Sequence, residues 1–418
     1  MNVGRLFATV EAQGLTDTRR QALALQVADA MACLALAART GEAVHLLELH
    51  KSDGGSLCRR AAAAAAIIRL SECDPIHVPS CLTPTAIVVP VAVLLSPDGE
   101  TFSFAVRLGT AVGLWIAESV GGVRALEHGV WPTLLAAPAM ASAAASVALG
   151  LDAERTSHAV ALAISGSSGR LGRPAGMPSG RWLVMADAVG RGIRAASAAA
   201  AGFKGDPGLL CEQWIAAQGS ASVVPAEPDA DAILQVGLKP YVGARQGMNA
   251  LAALIELLAE AEAAPVERVE VELPADCLPV VTRPILDGDR LSRIANLGDR
   301  IVAATADPNV LLDPEGPPSA PASTRVSAPA IAVKSGDLPV VEGSWPARVR
   351  MLAGGRWKEV QKLHCPGDAG NFDSQTAVVA RKLSALPPQQ RSVVEPLVEA
   401  MHPDLILKHA REVLDNLL

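Results

Sequence analysis

Two short stretches concentrate the side chains able to do chemistry. From Arg69 to Pro90 the chain reads RLSECDPIHVPSCLTPTAIVVP and sets Glu72, Asp74 and His77 within six positions. A histidine titrates near neutral pH, and a carboxylate within hydrogen-bond reach raises its pKa and fixes its tautomer. That combination suits removal and return of a proton, with His77 as the acid/base group and Glu72 or Asp74 orienting it. The second stretch is Ser165 to Lys204, SGSSGRLGRPAGMPSGRWLVMADAVGRGIRAASAAAAGFK. Its Gly/Ser/Pro-rich half carries Arg170, Arg173 and Arg181 with no acidic residue among them, and its Ala-rich half has small residues at helical spacing from about Leu183. A cationic loop that opens a helix is a place to receive an anion. On spacing alone, blander roles fit the same residues: arginines solvated beside a turn, a histidine that ties down its loop, carboxylates that cap the next segment or pair with arginines.

Other chemistries find less support. The eight histidines form no HxH, HExxH or Cys/His cluster, and Asp74 and His77, three apart, lack nearby partners for a metal. No GxSxG elbow and no P-loop occurs, and Gly166, Gly169 and Gly172 have the wrong spacing and no preceding strand for a dinucleotide fingerprint. No metal, flavin or nicotinamide is therefore expected. The net charge of −7 argues against nucleic acid or an anionic membrane as main partner. Seven scattered cysteines without a CxxC read as reduced thiols of a cytoplasmic protein, and Leu134 to Leu151, Ala/Ser-rich with Pro138, as a buried helix rather than a membrane span.

These groups need a frame. Half of the 418 residues are hydrophobic but only 3% are aromatic, with a single tyrosine. Ala, Leu and Val must then build the core, and small side chains let helices pack closely. Helical spacing covers Thr16–Arg39 (with Asp17 as a cap), Ser56–Leu70, Ser103–Ser119, Leu134–Leu151, Ala153–Ser165 and a long helix from about Gly247. Pro75, Pro79 and Pro84 exclude a regular helix from the Arg69–Pro90 stretch, which should cross the top of the helical core as a loop. Near Pro265 the pattern changes: VERVEVEL alternates as a strand does, and Ala347–Leu352 with Arg356–Leu363 can form a hairpin through Gly354 and Gly355. The proline-crowded Asp307–Trp345 reads as loop, and helices return from Asp373. The expected fold is mainly α: a large helical domain from both chain ends, residues 1–264 and 370–418, with a smaller inserted α+β lid at 265–369.

Three stretches taken in order, SECDPIHVPSCLTPTAIVVP, GVWPTLLAAPAMASAAASVALGLDAE, and the cationic stretch continuing to GLKPYVGARQGMNA, resemble the MmgE/PrpD family. That family includes 2-methylcitrate dehydratase, cis-aconitate decarboxylase and iminodisuccinate epimerase. The resemblance implies the helical domain and lid just described, usually in a homodimer. It also implies cofactor-free proton transfer next to a carboxylate of a small anionic substrate. Glu72, Asp74 and His77 match an Asp-rich segment ending in His, and Lys239, Pro240 and Tyr241 match a Lys-Pro-Tyr pattern, which adds Tyr241 to the catalytic candidates. Arg181 stands where a lysine is common, and Arg245 and Arg170 supply further positive charge for a carboxylate.

The departures fall on imidazoles. Thr83 precedes Pro84 where His-Pro is usual, and Trp131 takes the histidine's place in a Gly-Phe-His-Pro-Thr pattern. Ala244 and Met248 stand where two later histidines are common. Thr83 and Trp131 are thus expected to line the substrate, Trp131 as an apolar wall or as plain packing. Two functions follow: a lyase or isomerase of the family's general type, with altered chemistry such as cyclisation within reach, or a non-catalytic member that binds a carboxylate ligand or a partner protein.

Overall fold

The computed structural model describes residues 3–52, 54–170, 179–218, 228–261, 264–316 and 328–418. Its helices begin with α1 (Val3–Gln13), α2 (Asp17–Ala37), α3 (Gly41–Ser52), α4 (Leu57–Leu70), α5 (Thr85–Leu95) and α6 (Gly99–Ser119). They continue as α7 (Pro132–Ala148), α8 (Ala153–Ile164), α9 (Gly180–Ala200), α10 (Glu212–Ala217) and α11 (Met248–Glu260). Strand β1 (Val266–Leu273) precedes α12 (Leu278–Val281), α13 (Arg290–Ala295) and α14 (Leu297–Ala306). Strands β2 (Ala330–Ser335), β3 (Ala347–Ala353) and β4 (Arg356–Lys362) lead to α15 (Phe372–Ala385), α16 (Pro388–Val394), α17 (Pro396–Glu399) and α18 (Pro403–Leu417). The protein is mainly α, with one small mixed sheet.

The chain divides into two compact units, residues 1–238 with 369–418, and residues 239–368. In the first, α2 is buried from Ala22 to Ala37 on every side, and the Ala61–Ala66 run of α4 is likewise inside. With so few aromatics, close backbone approach replaces bulk. At Gly192 of α9 an added Cβ would sit 2.3 Å from the Pro138 carbonyl oxygen of α7, so only glycine permits that crossing. Side-chain caps set the helix starts: Thr16 accepts from Arg19 N, Ser56 from Arg59 N, Asp98 from Thr101 N and Asp152 from Arg155 N. Thr16, rather than Asp17, is thus the cap of α2. Helix α5 is a second departure: Thr85–Leu95 is helical although Pro90 lies inside it. Burial of Thr85–Val93 against neighbouring helices outweighs the one lost backbone bond.

The second unit holds the sheet, in the order β2-β1-β3-β4, with β1 and β2 parallel and the other pairs antiparallel. β1 is VERVEVEL, and β3 and β4 form the hairpin over Gly354–Gly355. β2 falls inside the proline-rich stretch read as loop, where AIAVKS carries no alternation strong enough to announce a strand. The division between units falls at Leu238/Lys239, ahead of the periodicity change at Pro265, because α11 packs on β3 and β4.

Candidate active site

The loop between α4 and α5 is built from two backbone reversals. Helix α4 ends at Leu70 with Ser71 as C-cap, and Glu72 follows at φ 53°, the left-handed position that glycine usually takes after a helix. Cys81, at φ 54°, makes the second reversal. These are the two non-glycine residues with positive φ among those described, and each costs about 1–2 kcal/mol locally. Between them His77 and Leu82 exchange backbone hydrogen bonds of 2.7 and 3.3 Å, closing a small hairpin. Its tip folds Ser80 back so that Ser80 Oγ lies 2.7 Å from His77 Nδ1. Ile76 pairs with Gly237, and Gly122, at φ 60°, leaves room for the Pro79 carbonyl, which accepts from Val123 N.

The loop is pinned from below by a buried ion pair. Lys382 of α15 donates to Asp29 of α2 and to the Cys73 carbonyl, both at 2.6 Å, and lies 3.4 Å from Cys33 Sγ. Lys382 and Asp29 are completely buried. Burial pulls the lysine's pKa down, but Asp29 first and then the two thiols outweigh it, so the net shift is upward and the ammonium stays charged. The held carbonyl belongs to the residue between Glu72 and Asp74.

Those two carboxylates do not orient His77. Arg69, in the last turn of α4, takes Asp74 Oδ1 at 2.9 Å and Glu72 Oε1 at 3.4 Å. Burial would lower the Arg69 pKa, but Asp74 and Glu72 outweigh it and hold the guanidinium charged. The same guanidinium faces the indoles of Trp131 and Trp182 at 5.3 and 5.9 Å, and Arg181 faces the same pair at 5.4 and 5.7 Å. The two indoles meet edge to face at 6.3 Å. Each such cation–ring contact is worth about 0.5–2 kcal/mol. Arg69 and Trp182 are buried, whereas Arg181 and Trp131 are only half-buried. Trp182 Nε1 is buried without a hydrogen-bond partner among the described residues.

His77 has different neighbours. Its ring is 2% exposed, with Glu118 Oε1 of α6 at 3.7 Å from Nε2. Burial lowers its pKa to about 4, offset only in part by a hydrogen bond to Gln235. The expected upward shift therefore runs the other way, and the imidazole is neutral at pH 7. Burial also raises the Glu118 carboxyl, with Asp229 adding to the effect. Asp229 in turn accepts from Gln235 Nε2 at 2.6 Å, so His77, Gln235, Asp229 and Glu118 form one polar cluster.

The remaining candidates scatter. Thr83 is buried, and its backbone N donates to Thr133 Oγ1 at 3.2 Å, two residues along from Trp131. Arg170 is exposed and donates to the His128 carbonyl at 3.3 Å, and its backbone bridges to Val130, the residue before Trp131. Arg173 lies outside the described residues. Lys239, Tyr241 and Arg245 belong to the second unit, all three buried, and Arg245 is ion-paired with Asp368. Among the described residues no three His, Cys, Asp or Glu side chains are grouped to hold a metal ion. Sequence reading missed Arg69, Glu118, Trp182 and Lys382. Of these, only Arg69 and Lys382 left a trace, as charges at otherwise apolar helical positions.

The chain is predominantly helical with one small mixed sheet, and it carries a buried imidazole on a strained loop and a guanidinium–indole cluster contributed by α4, α9 and the residue ahead of α7. The profile of the MmgE/PrpD N-terminal domain matches residues 3–226, and the chain belongs to the MmgE/PrpD family, whose members are generally lyases and dehydratases. Among curated proteins, none matches the chain. Among the described residues no single helix is long and apolar enough to cross a membrane.

Proposed function

We propose that the protein is a cofactor-independent, cytoplasmic lyase or isomerase that moves a proton next to a carboxylate of a small anionic substrate. The observation that carries this reading is His77, kept neutral by burial and set 3.7 Å from a carboxylate whose own pKa is raised. A proton acceptor must be unprotonated at working pH, and burial ensures that for the imidazole. Burial, with Asp229 adding to it, pushes the Glu118 carboxyl upward while His77 is pushed downward, so the two move toward each other as partners for a shared proton. Arg181 is the carboxylate-binding group of this reading, because its half-buried guanidinium already lies over the indole wall of Trp131. Guanidinium charge beside the reacting carbon would stabilise the enolate-like anion formed as the proton leaves. Lys239 and Tyr241 are carried as further substrate and acid/base candidates, and Arg245 as one that must first exchange Asp368 for the ligand.

Two observations favour the non-catalytic alternative. Glu72 and Asp74 are spent on Arg69, and an indole stands where the family commonly has an imidazole. Binding comes first in either reading and is tested first. Fluorescence of Trp131, assigned with Trp131→Phe, is titrated with citrate, cis-aconitate and succinate. A saturable change that weakens about 30-fold or more in Arg181→Ala supports the site, as expected for removing a charge from a desolvated pair at about 2–5 kcal/mol. Equal affinity in parent and Arg181→Ala would place the carboxylate elsewhere.

A further inference from the structure

Helix α9 starts without a cap. Ser179, its N-cap residue, makes no side-chain bond to the first turn, and that turn holds no acidic residue. The positive end of the helix is therefore left without a local counter-charge. Trp182 supplies a second and independent observation. It is the third residue of α9 and 1% exposed, and its Nε1 has no hydrogen-bond partner among the described residues. Side chains on a helix lean toward its N-terminus, so this indole leans toward the uncapped end.

An N–H taken out of water and left unpaired is destabilising, and nearly all such groups in folded proteins find an acceptor. Here the neighbouring groups are donors too. Arg69 faces the same indole, and its Nε is likewise buried without a partner among the described residues. Its terminal nitrogens hold Asp74 and Glu72. Arg181 precedes Trp182 in the chain, with its Cζ 5.7 Å from the centre of the Trp182 ring. Two hydrogen bonds of about 2.9 Å, one from each group, can meet at a single acid group across that separation. An ionised carboxylate suits the place, because it accepts at both oxygens and donates nothing. An amide would bring two N–H donors to a spot that already has too many.

We infer that the Trp182 indole N–H is a ligand-binding donor, which shares one carboxylate of the substrate with Arg181 and selects the ionised acid over its amide. Trp182 is then a specificity-determining residue. The inference rests on the reading of Arg181 as the carboxylate-binding group and adds to it a neutral donor shielded from water. The guanidinium supplies charge, and the indole supplies direction.

The test follows the indole N–H itself. The six tryptophans, labelled with nitrogen-15 in the ring, give six indole signals by NMR, and the one missing from Trp182→Phe belongs to Trp182. Citrate, cis-aconitate and succinate are titrated in turn. With an acid whose binding weakens in Arg181→Ala, the Trp182 signal should move and its N–H should exchange more slowly with solvent. Trp182→Phe also shrinks the side chain, so a second variant removes the N–H alone: benzothienylalanine at position 182, with sulfur in place of the ring nitrogen. It should bind that acid about 10- to 100-fold more weakly, as expected for a lost hydrogen bond to a charged group. Its ligand-free stability to urea should stay at or above that of the parent, because a buried unpaired donor has gone. The parent should also prefer succinate to succinamate, and the variant should lose part of that preference. An Arg181-dependent acid that leaves the Trp182 signal in place, or that binds the benzothienylalanine variant as tightly as the parent, overturns the inference and leaves the Arg181 reading standing. Binding that ignores Arg181→Ala, or no binding of any of the acids, overturns both.

Discussion

The downward shift of His77 makes a prediction that can be worked through to a number. The ring titrates near 6.5 in the unfolded chain and at about 4 in the folded one. Above about pH 6.5 it is neutral in both states and contributes no pH dependence. As pH falls through the window between those values the unfolded chain binds a proton that the folded chain refuses, so stability present at neutral pH is lost. At pH 5 the loss is about 2 kcal/mol, and it approaches about 3 kcal/mol near pH 4. His77→Gln removes this contribution while every other titrating group stays, so the difference in pH slope between parent and variant isolates it. Urea unfolding of both proteins between pH 7.5 and 4.5 supplies the slopes. NMR of ring-labelled histidine supplies the titration itself, with the resonance absent from His77→Gln assigned to His77. Parallel slopes, or a His77 midpoint between pH 6 and 7, would refute both the burial argument and the claim that this imidazole rests as a free base.

The buried pair beneath the loop gives a second expectation. Lys382→Met leaves Asp29 buried beside Cys33 and frees the Cys73 carbonyl, which should cost about 3–5 kcal/mol in urea unfolding. Lys382→Met/Asp29→Leu should recover most of that loss, and a single variant within about 1 kcal/mol of the parent would mean the pair does not anchor the loop.

Much of the frame was legible in the sequence for local reasons. Helical spacing located α2, α4, α6, α7 and α8, two-residue alternation located β1, and paired glycines located the β3–β4 turn. Three prolines marked Arg69–Pro90 as irregular, and the structure keeps its first two-thirds so. The same reasoning ran too far at Pro90, because tertiary burial of α5 outweighs a local penalty that sequence alone registers. The site was harder to read. Glu72, Asp74 and His77 are near in sequence, which suggested mutual contact, yet a left-handed turn at Glu72 sends the carboxylates to Arg69 and the hairpin at Leu82 sends the imidazole to Ser80 and Glu118. Glu118 and Lys382 are 41 and 309 positions away from the groups they serve. No spacing rule reaches that far. The direction of the His77 shift follows from burial, which a polar, proline-rich loop gave no reason to expect.

The central claim is that His77 moves a proton next to a carboxylate. It is tested by incubating the parent and His77→Gln in deuterium oxide with citrate, cis-aconitate and 2-methylcitrate and following deuterium uptake beside the carboxylates by NMR. The account predicts uptake with at least one acid that binds, slowed about 10²–10⁴-fold in His77→Gln while affinity stays within a few-fold. Uptake at equal rates in the two proteins, or no uptake in the parent from any acid that binds, would contradict it.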